Sequence, residues 1–398
     1  FNIESDDSAV GFKLSFVEDS KFLLHSSMRL FYANGGADCY IVSVGGYDEK
    51  IDAAKLNDPK GGGLTALEKY LEPTIIVIPD AILLDENDCY SLQAAMLQHC
   101  GYKLKNRFAI LDVYEGAKER TFDDDDAIDK FRNGVGSNFL QWGASYYPFL
   151  NTTIVSKSEI DFTRIANLDG LSEVLSKEVA ENLEADNITA ARAEGITAEI
   201  DKIPDTTEAD AVNSLNSTLT VISPSLNLIL AEVSEMLNVL PPSPAMAGAY
   251  AMVDNQASVA QSPANISLGS VIAPVVNINN DNQEELNLPL NGKAVNAIRT
   301  FQGKGVLVWG ARTLEGNSKD YRYVSVRRTM TFLEQSIKAA AEAFVFAPNN
   351  ATTWSTLRAT VSSFLTNQWQ SGLLAGQSAD DAFTVDIGLG ATMTPNDI

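Results

Sequence analysis

Two aspartates stand where an alternating α/β chain most readily stages chemistry. Asp80 follows the apolar run of residues 74–78 and Pro79, and Asp112 closes the run of residues 107–111. The carboxyl end of a parallel strand is where α/β enzymes keep acids, bases and nucleophiles, so a hydrolase using Asp80 or Asp112 is one reading. The competing reading is structural, because a strand-end aspartate also accepts N–H bonds at the start of a helix. No nucleophile or base adjoins either residue in the sequence, and no Gly-x-Gly-x-x-Gly turn follows either strand. His25 and His99 are the only histidines, which excludes a histidine-rich metal site and leaves few bases for a triad. The cysteines Cys39, Cys89 and Cys100 form no Cys-x-x-Cys pair and read as reduced thiols of a protein folded in the cytoplasm. The run Asp123-Asp124-Asp125-Asp126 lacks the alternation of a calcium loop and reads as a solvated helix start. Gly61-Gly62-Gly63 has no preceding strand and no following Lys-Ser/Thr, so it reads as a loop and not as a phosphate cradle. No residue is assigned a catalytic, cofactor-binding or metal-ligating role.

The elements that would position these groups follow from periodicity. Residues 1–20 alternate weakly around Phe12, Leu14 and Phe16, as an edge strand does; residues 23–32 have helical spacing and stop at Asn34-Gly35-Gly36. Strands are expected at residues 39–44, 74–78 and 107–111, with helices at 64–71 and 88–102 between them. Such alternation implies a mostly parallel sheet covered by helices. From 151 to 240 glycine is scarce, and Glu173, Glu178, Glu181 and Glu184 interleave with Leu171, Val174, Leu175, Val179 and Leu183 at helical spacing. Residues 215–240 continue that pattern, so an acidic helical layer or hairpin is expected. Prolines at 241, 242 and 244 end it, and the small residues that follow suit a closely packed helix. Two apolar helices, 326–344 and 354–369, and an alternating tail at 383–389 complete the chain.

Charge divides the same way. The net charge is −23 over 398 residues; residues 1–292 carry 19 basic and 44 acidic side chains, whereas 293–369 carry 10 and 4. Residues 151–240 alone carry 5 basic and 16 acidic groups. A basic C-terminal module facing something acidic is one reading and plain solubility the other. The acidic balance argues against direct nucleic-acid binding, and no apolar run is long enough to insert in a membrane as a helix.

One stretch is too particular for generic hairpin chemistry: Ile298-Arg299-Thr300-Phe301-Gln302-Gly303-Lys304-Gly305-Val306-Leu307-Val308-Trp309-Gly310-Ala311-Arg312-Thr313-Leu314. Two apolar runs flank a Gly-Lys-Gly turn and the second ends in Trp-Gly-Ala-Arg-Thr-Leu. Here the chain resembles the contractile tail sheath proteins of phage tails, R-type bacteriocins and extracellular contractile injection systems. The same resemblance runs through Arg29-Leu30-Phe31-Tyr32-Ala33-Asn34-Gly35-Gly36, through Gly143-Ala144-Ser145-Tyr146-Tyr147-Pro148-Phe149-Leu150, and through the Pro-Pro-Ser to Tyr-Ala segment that ends at Asp254. Ser262-Pro263-Ala264-Asn265 keeps the end of a further family motif, but Ser258-Val259-Ala260-Gln261 replaces its tryptophan and lysine.

The resemblance implies a non-enzymatic subunit, without cofactors, that polymerises helically around an inner tube and contracts to drive that tube through a target envelope. It implies as partners copies of itself, the inner tube protein, and baseplate and terminal cap proteins, with assembly in the bacterial cytoplasm into a phage tail or tail-like particle. Four segments are expected: 1–150, an N-terminal α/β domain; 151–240, an acidic helical insertion facing outward; 241–284, a return to the α/β domain; and 285–398, a small C-terminal α/β core domain near the tube. Some of the basic residues Lys304, in the turn, and Arg327, Arg328, Lys338 and Arg358, largely off the apolar stripes of their helices, are expected to face tube or neighbouring subunits. Trp309, Gly310 and Arg312 are expected to be structural, with Arg312 bonded to backbone or to a carboxylate. Family members continue at both ends into arms that pair with neighbours' strands, and this chain reads as trimmed of them. A static, non-contracting tube or surface-layer protein is the second alternative to the enzyme.

Overall fold

The computed structural model describes residues 1–6, 8, 10–17 and 20–397. The chain opens with a hairpin, β1 (Asn2–Ser5) and β2 (Phe12–Ser15), followed by α1 (Leu24–Ala33). Two short turns of helix, α2 (Ala53–Leu56) and α3 (Gly63–Ala66), precede β3 (Ile75–Ile76). Next come α4 (Glu86–Gln98), β4 (Phe108–Asp112), α5 (Ala127–Gly134), β5 (Gly143–Tyr147) and β6 (Leu150–Thr152). A helical segment follows, made of α6 (Leu168–Glu184), α7 (Ala190–Ile200), α8 (Ala209–Ile222) and α9 (Pro224–Leu237). β7 (Val239–Leu240) leads to α10 (Ser243–Gln256), β8 (Val271–Pro274) and α11 (Asn280–Asn287). The hairpin β9 (Asn296–Phe301) and β10 (Gly305–Val308) precedes α12 (Val324–Glu342), α13 (Ala351–Gln370) and the short α14 (Ala379–Ala382).

The sequence hairpin joins the central sheet, whose order is β10-β9-β5-β4-β3. β3, β4, β5 and β9 run parallel and only β10 is antiparallel, so the mostly parallel α/β expectation holds. Successive side chains go to opposite faces. Ala109 and Leu111 join Leu64, Met96, Leu97, Ile128 and Phe131 in one core. Phe108 and Ile110 meet Leu30, Ala245, Met246 and Tyr250 in the other. Both faces are covered, which explains why β4 reads as a continuous apolar run. On the second face α10 lies so close to α1 that a Cβ on Gly248 would sit 2.3 Å from the Phe31 carbonyl oxygen. The small residues after the prolines serve that close approach.

The helical segment has a core of its own, built from Leu171, Leu175, Leu219, Leu226, Ile229 and Val233. Ile3, Phe12 and Leu14 of the β1–β2 hairpin pack into it, so a boundary at residue 150 separates parts that pack together. Likewise β9 and β10 pair into the main sheet, so 285–398 is not a unit with its own sheet. A sequence shows strands but not their distant partners, and both departures are matters of partnership.

Two expected strands are absent as ladders. Residues 39–44 and 383–389 belong to no named strand, and the tail contributes an isolated bridge between Leu389 and Met393. Strand chemistry alone does not make a strand; a neighbour must supply hydrogen bonds. The expected helix at 64–71 is shorter, α3 passing into a 3-10 turn at Leu67–Lys69.

Candidate functional site

Both aspartates expected at strand ends are spent on helix starts. Asp112 is buried, accepts the Ser243 N–H at 2.8 Å through Oδ1 and the Ser243 hydroxyl through Oδ2, and so caps α10 from across the sheet. Burial pushes its carboxyl up to about 7, against the lowering effect of the two bonds to Ser243. Asp80 accepts the Leu23 N–H at 2.6 Å, where α1 begins, and burial raises its carboxyl too. Each fixes a helix of the α1–α10 layer, Asp112 to the end of β4 and Asp80 to the 3-10 turn Pro79–Leu83 that follows β3, so Asp80 is not itself at a strand end. Among the described residues Asp80 bonds only backbone, and the one hydroxyl on Asp112, that of Ser243, belongs to the residue whose N–H the same carboxylate caps.

The remaining titratable candidates are equally committed. His99 is buried with Nε2 3.2 Å from Arg107 Nη1, and burial followed by the charges of Arg107 and Lys103 lowers its ring to about 4. Cys89 and Cys100 are buried thiols pushed up to about 12 by burial, while Cys39 is exposed. The acidic run is the helix start expected from the sequence, with Asp123, Asp124 and Asp125 exposed ahead of α5, but its last member is not solvated. Asp126 is fully buried, caps α5 through Ile128 and Asp129 N–H groups, and is forked by Arg120 at 2.7 and 2.8 Å. Its carboxyl is nonetheless held low: the bonds and charge of Arg120 and the backbone N–H donors outweigh burial. Among the described residues no group of three His, Cys, Asp or Glu side chains is placed to hold a metal ion. Among those residues no helix is long and apolar enough to cross a membrane.

What the sequence stretch around Trp309 builds is a joint. Asn296, fully buried at the start of β9, donates to the Ser145 and Arg312 carbonyls at 3.0 and 2.8 Å and accepts the Arg312 N–H at 2.7 Å. One amide thus ties β5, β9 and the segment after β10 together. Gly310 is required by that approach, since a Cβ there would lie 2.7 Å from Asn296 Oδ1. Trp309 meets Phe301 with ring centroids 4.6 Å apart and planes tilted by 52°, and its carbonyl accepts from Gln283. The Arg312 guanidinium donates to the carbonyls of Asn287 and Gly316 at 3.2 and 3.4 Å. Asn296 itself was not singled out in the sequence; an asparagine two residues before an apolar strand residue carries no signal of three distant partners.

The five basic candidates separate into two kinds. Arg327 and Arg328 are 3% and 8% exposed, against the expectation that they lie off the apolar stripe. Arg327 lies over the Trp142 and Tyr321 rings at 4.3 and 4.6 Å and pairs with Glu334 at 3.0 Å. Arg328 forks onto Asp254 at the end of the Tyr-Ala segment, with Nη1 to Oδ1 at 2.8 Å, and lies over Tyr250. A helix stripe drawn from apolar residues misses arginines buried by stacking and pairing. Lys304, Lys338 and Arg358 are exposed, and Arg358 donates to the Ile387 carbonyl at 2.9 Å. A second buried ion cluster, also missed, lies between α5 and α11, where Glu285 accepts from both Arg120 and Arg132.

With this geometry in place, comparison with known proteins gives three results. Residues 317–391 match the family model of the phage tail sheath C-terminal domain. No curated protein matches the chain by sequence. Among solved structures, the chain is similar over 95% of its length to a chain of the PVC sheath complex in its contracted state, an extracellular contractile injection system. That match covers 74% of the other chain, with 26% identity and a TM-score of 0.57. The helical sheath of the anti-feeding prophage in its contracted state gives 25% identity and a TM-score of 0.57, over 95% of this chain and 76% of that one. The contracted baseplate of the same prophage gives a TM-score of 0.65 at 23% identity, over 100% and 82% of the two chains.

Proposed function

We propose that this chain, a contractile tail sheath protein by its fold and its C-terminal domain, works as a structural subunit of a contractile sheath and catalyses no reaction. The observation that carries this reading is the match over nearly the whole chain to sheath subunits of two contractile injection systems, joined to the family match at 317–391. The capping roles of Asp80 and Asp112 support it from the other side, because they give the enzyme reading's two carboxylates a complete structural account.

In this function copies join head to tail through heterologous contacts into an open helical tube around an inner tube. Contraction exchanges one set of contacts for another while each α/β body turns as a rigid unit, and the inner tube is driven through an envelope. The subunit assembles in the bacterial cytoplasm, meets a baseplate at one end and a cap at the other, and becomes part of a phage tail-like particle. Segment 151–240 faces outward and the C-terminal module faces the tube. Of the basic candidates, the exposed Lys304, Lys338 and Arg358 are the ones placed to reach a tube or a neighbour, Arg358 while also donating to the Ile387 carbonyl, since Arg327 and Arg328 are buried and occupied inside the chain.

Electron microscopy of the assembled protein tests this reading. Hollow helical tubes in two lattices, long and short, are expected, and the charge-reversed double variant Lys304→Glu, Lys338→Glu should keep its fold but lose tube association. A single lattice under all conditions would favour the static tube, and dispersed monomers at sheath-forming concentration would overturn assembly altogether.

A further inference from the structure

The sequence holds three Asn-Gly pairs, Asn34-Gly35, Asn133-Gly134 and Asn291-Gly292. Such a pair can react with itself, because glycine has no side chain to shield its own backbone nitrogen from the asparagine beside it. Whether it does so depends on how firmly the fold holds both partners, and the three pairs are held very differently.

Asn34 is buried and fully used. Its Nδ2 donates to the Leu30 and Gly269 carbonyls at 2.8 and 3.2 Å, and its Oδ1 accepts the Gly269 N–H at 2.8 Å. Asn133 and Gly134 close α5, where helical backbone angles keep the Gly134 nitrogen out of line with the Asn133 side-chain carbonyl. Gly134 is also pinned from outside, since a Cβ on it would fall 2.1 Å from the Tyr90 ring.

Asn291 is held in the opposite way. It is exposed, between α11 and β9, in a turn closed by the Gly292 N–H on the Pro289 carbonyl at 3.0 Å. Its Oδ1 accepts the Lys293 N–H at 3.1 Å, which folds the side chain back over the peptide that follows it. Among the described residues its Nδ2 has no hydrogen-bond partner. The oxygen that takes up negative charge during attack on Cγ therefore already faces a donor, and the amide that must leave is unencumbered.

We propose that Asn291 is a site of spontaneous deamidation in the folded chain. The Gly292 nitrogen attacks Cγ of Asn291: the N–Cγ bond forms, the Cγ–Nδ2 bond breaks, and the Gly292 amide proton leaves with Nδ2 as ammonia. Water then opens the cyclic imide. Addition at Cγ gives aspartate, and addition at the main-chain carbonyl carbon of residue 291 gives isoaspartate, whose backbone runs through the former side chain and is longer by a carbon. Either product sets a new carboxylate beside the fully exposed Leu290. Isoaspartate does more, because the turn is anchored just beyond it: the Gly316 N–H donates to the Gly292 carbonyl at 2.9 Å, and Arg132 Nε donates to the Lys293 carbonyl at 3.0 Å. Lengthening the chain next to those anchors disturbs Arg132, which also pairs with Glu285, and so reaches the ion cluster between α5 and α11.

Peptide mapping by mass spectrometry, on the native chain aged at mildly alkaline pH, tests the proposal. The amide-to-acid mass gain should accumulate on the peptide carrying Asn291 more than about 10-fold faster than on those carrying Asn34 and Asn133, because the locked pairs react only through local opening. In urea the three pairs should convert at similar rates. Asn291→Gln, whose side chain closes a ring far more slowly, should abolish the gain on that peptide alone. In the isoaspartate form the Gly316 amide should exchange faster than in fresh protein while β4 keeps its protection. An Asn291 that stays intact in the native chain yet converts in urea overturns the proposal. Equal rates at Asn34 or Asn133 in the native chain overturn it too, as does the same ranking of the three pairs in urea, which would assign the order to sequence and not to the fold. Unchanged exchange at Gly316 in the isoaspartate form would overturn the transmission to the anchors.

Discussion

The α/β body and the helical segment that interrupts it both fold around apolar cores, but they differ in what fixes their geometry. In the body, buried polar groups reach across long stretches of sequence: Asp112 to Ser243, Asn34 to Gly269, Asn296 to Ser145 and Arg312, Arg328 to Asp254, and Arg120 and Arg132 to Glu285. The helical segment is held by aliphatic side chains at helical spacing, and its conspicuous polar partners are Glu178 of α6 on Ser223 at the start of α9, and Asn238 with Thr152 and Val155 at the junction with the body. Apolar packing tolerates exchange of shapes; a buried hydrogen bond tolerates one partner at one angle. The proposed turning of the body as a unit while its contacts change would call on the second kind of construction, and a decoration on it would need only the first.

The comparison breaks most readily at Arg328. Asp254→Ala leaves a guanidinium buried without its carboxylate, at an expected cost of about 3–5 kcal/mol, read from the midpoint of urea unfolding. A loss below about 1 kcal/mol would put this pair with exposed surface bridges and weaken the claim that the body depends on it. Within the helical segment, Leu226→Ala removes a fully buried side chain and is expected to cost about 2–4 kcal/mol. Its signature should be local: amides of α6–α9 exchange faster while those of β4 keep their protection. If β4 loosens in step, the two regions are one cooperative unit and the contrast between them fails. Gly310→Ala drives a methyl against Asn296 and is expected to cost about 1–3 kcal/mol; made in an Asn296→Ala background, which is itself destabilised by the loss of three hydrogen bonds, the same substitution should cost less, because the contact with Oδ1 is gone.

How much of this was legible in the sequence follows the same division. Periodicity located α1, α4, α10, α12, α13 and the β9–β10 hairpin, because each signal lies within a dozen residues. The acidic helices were legible as a layer for the same reason. Partnership was not: nothing near Asp254 names Arg328 and nothing near Asn296 names Ser145. The β1–β2 hairpin looked like an edge strand of the body, and only its contacts with Leu171 and its neighbours assign it to the helical segment. Asp80 and Asp112 were visible as strand-end carboxylates, but the choice between capping and chemistry rests on Leu23 and Ser243, at distances in sequence that periodicity does not cover.

The finest test of the buried polar construction is the pH dependence of Asp112. Its folded carboxyl is raised to about 7, whereas an aspartate in the unfolded chain titrates near 3.9. Below the unfolded value both states are protonated and the contribution to stability is fully present. Between the two values the unfolded chain has lost a proton that the folded chain keeps. Stability then falls as pH rises, by at most about 1.4 kcal/mol per pH unit, and above the folded value the loss is complete and constant. Asp126 and Glu285, whose carboxyls are held low, and His99, whose ring is lowered to about 4, act in the opposite sense, and comparison with a variant that keeps all three removes their contribution. Asp112→Asn keeps an oxygen to accept the Ser243 N–H and removes the titration. Urea unfolding of both proteins from pH 5 to pH 8 should therefore show the native chain losing its advantage over the variant as pH rises toward 7. Parallel curves would mean that the carboxylate is already ionised in the folded state, stabilised by the start of α10 strongly enough to offset its burial, and the cap would then be an electrostatic device as well as a hydrogen-bonded one.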